Sequence, residues 1–119
     1  MYINKQGSTR IVLVLSKYVI KIPTILNYEL FLCGLLANIR EGYIYKETRR
    51  NDLARVCYYN RLGLFLIMER VDICSNDEAY ELYKYVYDKY KDDELMLDDF
   101  KTSNWGRKNG KLVKVDYGC

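Results

Sequence analysis

Near the end of the 119-residue chain, Asp99 is followed five positions later by Asn104, and Asp116 follows with Tyr117 and Gly118. Two carboxylates and an amide supply hard oxygen donors, and such a set can hold Mg²⁺ between protein oxygens and phosphate oxygens. They meet only if the chain turns back between them. Asn109-Gly110 provides the turn, because a type I′ hairpin needs positive φ at both central residues. With that turn Lys108 faces Lys111, Arg107 faces Leu112 and Asn104 faces Val115, so Asn104 and Asp116 stand at the open end of a hairpin. Regular pairing would send residues 104 and 116 to opposite faces, and they converge only if the strand ends or bulges before Asp116. A second reading takes Asp99 and Asn104 as loop residues and Asp116-Tyr117-Gly118 as the end of a strand.

Those residues need a scaffold. Residues 9–15 (TRIVLVL) and 18–22 (YVIKI) are β-branched and aliphatic, and Ser16-Lys17 suits a turn, which predicts an antiparallel pair ended by Pro23. In the second strand Tyr18, Ile20 and Ile22 share one face, and Val19 and Lys21 the other. A lysine in so apolar a strand either serves a purpose or sits exposed on a half-solvated face. Residues 24–45 predict a helix capped by Thr24 or Asn27, with Leu32, Leu35, Leu36, Ile39 and Tyr43 at three- and four-residue steps. Leu26, Leu30, Phe31 and Cys33 widen the apolar surface, which predicts an N-terminal half buried on more than one side. Arg49, Arg50 and Arg55 make a basic cluster, either solvated surface or a dock for an acidic partner. Residues 53–59 and 64–68 predict a second antiparallel pair. Residues 76–90 predict a helix capped by Asn76, with Ala79, Leu82, Tyr83, Val86 and Tyr90 inward. The sum is an α+β fold: a twisted antiparallel sheet of about four or five strands, two main helices and a C-terminal hairpin.

Val19-Ile20-Lys21, Asp99-x4-Asn104 and Asp116-Tyr117-Gly118 stand in the order in which protein kinases carry the lysine strand, the catalytic loop and the magnesium loop, and the chain resembles that family and its small-molecule phosphotransferase relatives. The resemblance implies a single kinase-like domain over residues 1–119, a small lobe with the catalytic hairpin. It implies that Lys21 holds the α- and β-phosphates of ATP, that Asp99 is the catalytic base, and that Asn104 and Asp116 are Mg²⁺ ligands. The first helix then offers a glutamate to Lys21. Glu41, 20 residues further on, is the better placed, and Glu29 is the alternative. Residues 68–71 would be the hinge that meets adenine through backbone groups. If Lys21 pairs with Glu41 and both face Asp116, these positions form one site. Lys21-Ile22-Pro23, Phe31-Leu32-x-Gly34-Leu35-Leu36-Ala37-Asn38, Glu41, Trp105-Gly106 and Val115-Asp116-Tyr117-Gly118 are also similar to short uncharacterised proteins of tailed bacteriophages. That likeness implies work in the cytoplasm of an infected bacterium.

The chain departs from the kinase pattern in three places. Gly7 is the only glycine before the first strand, so the glycine-rich phosphate-covering loop is missing. Leu97-Asp98 stands where a histidine and an arginine would precede the catalytic aspartate. The sequence ends one residue after Gly118, where kinases continue into an activation segment and a substrate-binding lobe. These departures favour a degenerate kinase-like protein, a pseudokinase that holds a nucleotide and acts by binding another protein, either a host factor or a second copy. An active phosphotransferase, acting on a small molecule or on a partner that completes the site, is the alternative. A nucleic-acid module using the 13 tyrosines is the third reading, although a net charge of +3 is too small to argue for it. The absence of histidine and the wide spacing of Cys33, Cys57, Cys74 and Cys119 argue against a zinc site and for free thiols. No signal-peptide pattern opens the chain, and no apolar run reaches the roughly 20 residues of a membrane span, so a cytoplasmic protein is expected.

Overall fold

The first strands form where β-branched residues run together. In the computed structural model, which describes residues 2–4 and 9–118, β2 (Arg10–Val14) and β3 (Tyr18–Pro23) pair antiparallel, with Val12 opposite Lys21 and Arg10 opposite Pro23. The Leu15 amide donates to the Tyr18 carbonyl at 2.8 Å and closes the expected turn. β4 (Val56–Tyr59) and β5 (Leu66–Glu69) make the second pair, and β5 docks on β3 with Lys21 opposite Leu66. A short β1 (Tyr2–Asn4) adds to the outer edge of β2. The sheet is antiparallel with the order β1-β2-β3-β5-β4.

One long helix, α1 (Tyr28–Thr48), lies against this sheet. Its cap is Asn27, whose side chain accepts from the Leu30 amide at 2.8 Å, and not Thr24. The helix stops at Arg49, which adopts the left-handed conformation with φ 49°. The buried face runs through Gly34, Ala37, Asn38, Glu41 and Gly42. This corrects the expectation of an N-terminal half buried on several sides: Tyr28, Leu32, Leu36 and Tyr43 point outward. Close packing explains the inversion. A Cβ on Gly34 would stand 2.4 Å from the Thr9 carbonyl oxygen, and one on Gly42 would stand 2.3 Å from the Tyr59 ring. At Gly34 and Gly42 the helix approaches its neighbours too closely for any side chain.

The described residues up to Arg70, together with Gly118, make one compact unit, and Val71–Tyr117 makes a second. In the second, β7 (Trp105–Lys108) and β8 (Lys111–Lys114) form the expected hairpin, with Lys108 opposite Lys111 and Arg107 opposite Leu112. Asn109 and Gly110 take φ 52° and 80°, as a type I′ turn demands. A two-residue strand, β6 (Asp72–Ile73), pairs with β7 and makes a three-stranded sheet. The second long helix, α2 (Ala79–Lys89), follows a 3₁₀ turn whose Glu78 side chain accepts from the Ser75 amide at 2.9 Å. Leu82, Val86 and Tyr90 face inward as expected, but Tyr83 is exposed, stacked on Tyr87 and set edge-on to Phe100. A single-turn α3 (Glu94–Leu97) leads to the Asp99 loop. The chain is therefore α+β, with two main helices and a C-terminal hairpin. No helix among the described residues is long and apolar enough to cross a membrane. Gly7 and Cys119 lie outside the described residues; among those described, Cys33, Cys57 and Cys74 are free thiols.

Candidate functional site

Lys21 sits in the middle of β3 on the face that meets α1. It is only 5% exposed, so the reading of it as a solvated strand residue fails. Its ammonium donates to Glu41 Oε1 at 2.6 Å, the short distance of a charge-assisted hydrogen bond. Glu41 is fully buried, and its Oε1 also accepts from Arg10 Nη1 at 3.1 Å. Glu29, the alternative partner, is exposed in the first turn of α1.

Arg10 and Asn38 belong to this cluster, although the kinase pattern points to neither. Arg10 Nη1 donates to Asn38 Oδ1 at 3.0 Å. The Asn38 amide nitrogen donates to the carbonyls of Lys21 at 3.1 Å and Gly63 at 2.9 Å. Asn38 thus ties helix, strand and the β4–β5 turn together with both amide hydrogens and its oxygen. The usable signal for Asn38 was its place three residues before Glu41, on the same helical face. Burying charge is costly unless it is paired and hydrogen-bonded, and the cluster meets that condition with two cations and an amide around one carboxylate. The small residues that let α1 approach the sheet make these contacts reachable. Gly118 contributes in the same way, since a Cβ there would stand 2.3 Å from the Ala37 carbonyl oxygen and 3.0 Å from Glu41 Cβ.

In the second unit, Asp99 and Asn104 come together. Asn104 is buried, and its amide nitrogen donates to the Asp99 carbonyl at 2.8 Å, with Asp99 Oδ2 at 3.5 Å. The backbone carbonyl and the carboxylate of Asp99 both accept from that amide nitrogen and fix the orientation of the Asn104 side chain. Asp99 takes the left-handed conformation, φ 46°, which aspartate tolerates better than most residues but which remains uncommon. Backbone strain of this sort collects at functional loops. The Asp99 carboxylate is largely exposed, with Lys101 Nζ at 3.8 Å.

Asp116 lies two residues beyond β8, which ends at Lys114, so the strand does stop before it. The Val115 amide still donates to the Asn104 carbonyl at 2.8 Å, as the hairpin register requires. Lys114 anchors the same loop: its buried ammonium donates to the carbonyls of Leu95 at 2.6 Å and Asp98 at 2.8 Å. Burial pushes this lysine below its ordinary 10.5, while Asp98, Asp116, Asp99 and Asp93 pull it back up. Among the described residues no group of three or more His, Cys, Asp or Glu side chains is placed to hold a metal ion. A cation here would take oxygens from Asn104, Asp116 and a ligand such as phosphate. No protein-family model and no curated protein matches the chain.

Proposed function

We propose that the chain is a kinase-like protein that holds a nucleotide with Mg²⁺ and acts through a protein partner, a host factor or a second copy. The observation that carries this reading is the buried Lys21–Glu41 pair at 2.6 Å. A lysine oriented by a glutamate offers its ammonium to phosphate oxygens as a point charge. The Asn104–Asp99 contact supports the other half, since an amide held by its nitrogen presents its oxygen to a cation. Asn104 and Asp116 would hold Mg²⁺, which neutralises phosphate charge when bound. Lys21→Ala is the test: nucleotide affinity falls and the fold is kept. Unchanged affinity in that variant would sink the assignment.

Active phosphoryl transfer is the second reading, favoured by the strained backbone and exposed carboxylate of Asp99. It requires ATP turnover that Asp99→Asn abolishes.

A further inference from the structure

The outward face of α1 is the part of the first unit that its own fold leaves unexplained. Tyr28, Leu32, Leu36 and Tyr43 recur along it at steps of four, four and seven residues, and Leu36 and Tyr43 are 59% and 58% exposed. Leu62 and Leu64 are exposed beside it, on the turn whose Gly63 packs against the Leu35 backbone. Ile25 and Leu26 are exposed immediately before the helix. Together these side chains present on the order of 800 Å², the contribution of one partner to a standard protein interface. Patches of that size mark interaction surfaces.

The charges beside the stripe identify the occupant. Glu29 and Arg40 stand on one flank, both exposed, and neither makes an ion pair among the described residues. A two-fold axis perpendicular to a helix brings the same flank of two copies together, running in opposite directions. Setting Glu29 against Arg40 of a second copy forms the same pair twice. In that register Leu36 lies level with Cys33 of the second copy, and Tyr43 reaches the Ile25–Leu26 segment. The apolar stripes then interdigitate, and no like charges on this flank are opposed.

We infer that the chain forms a symmetric dimer through an antiparallel α1–α1 contact, with its stripe Tyr28, Leu32, Leu36 and Tyr43 buried and two Glu29–Arg40 bridges fixing the register. This deepens the partner half of the proposed function and owes nothing to the nucleotide half. A dimer without ATP binding leaves it standing while the nucleotide reading falls, and ATP binding by a monomer does the reverse.

Sedimentation velocity across micromolar concentrations tests it. The unaltered chain is expected to dimerise, and Leu36→Asp to leave a monomer with an unchanged circular-dichroism spectrum. Arg40→Glu is expected to weaken the dimer about fivefold or more, because it opposes like charges twice. Glu29→Arg combined with Arg40→Glu is expected to restore it. A monomer at every concentration overturns the proposal, as does a dimer indifferent to Leu36→Asp. Failure of the double reversal to restore association overturns the antiparallel register. The reversed residues are both exposed, so this comparison stands even if Leu36→Asp misfolds.

Discussion

A buried carboxylate that accepts from a lysine and an arginine is costly to remove, because both cations stay behind. Glu41→Ala is therefore expected to destabilise the fold by about 3–5 kcal/mol. Lys21→Met leaves Arg10 on Glu41 and is expected to cost distinctly less. Urea unfolding of both variants decides this, and an equal or larger loss for Lys21→Met would contradict the geometry. Lys114 presents the opposite problem, a cation held mainly by carbonyl oxygens. Its folded-state value lies below the unfolded 10.5, so the unfolded chain binds more protons in the window between them. Stability from this residue rises with pH through that window. Relative to Lys114→Met, the native chain should gain stability as the pH rises towards 10.5, as read from paired unfolding midpoints. A gap that widens against the native chain would contradict the assignment. Lys21 and Glu41 were legible only through the kinase resemblance, which pairs a strand lysine with a helix glutamate; by residue type alone Lys21 suited an exposed strand position and Glu41 a solvated helix position. Arg10 was not, since one charge at the start of a strand is ordinary.

At the scale of elements, the position of α1 depends on what it lacks. Alanine is favoured over glycine inside a helix by about 1 kcal/mol. Gly34→Ala is nonetheless expected to destabilise by about 1–3 kcal/mol, because its methyl would meet the Thr9 carbonyl and Pro23. Gly110 provides the contrast: nothing lies within 4 Å of an added Cβ, and only its φ of 80° resists substitution. Gly110→Ala should cost about 1 kcal/mol and Gly110→Asn less, since asparagine accepts positive φ more readily. Thermal unfolding of the three variants checks the order. The hairpin was readable because Asn-Gly has one strong structural use. The existence of α1 was readable too, but its orientation was not. Apolar periodicity marks an apolar stripe wherever it points, and here the sheet receives Gly34, Ala37, Asn38, Glu41 and Gly42 instead. β1 and β6, three and two residues long, leave no sequence pattern at all.

For the whole molecule, the boundary between the two units falls at Arg70–Val71, inside the segment that the kinase resemblance assigns to the hinge. The first unit carries the lysine–glutamate pair, and the second carries the Asp99–Asn104 loop and Asp116. A nucleotide bound only by the folded chain stabilises it by RT ln(1 + [L]/Kd), about 2.7 kcal/mol at a hundredfold excess over Kd. The decisive measurement is calorimetric titration of ATP with Mg²⁺ into the purified chain, with Lys21→Ala and Asp116→Ala alongside. The expected result is saturable binding that needs the metal and is lost in both variants. No heat of binding at millimolar ATP, or binding indifferent to both substitutions, would contradict the kinase-like reading.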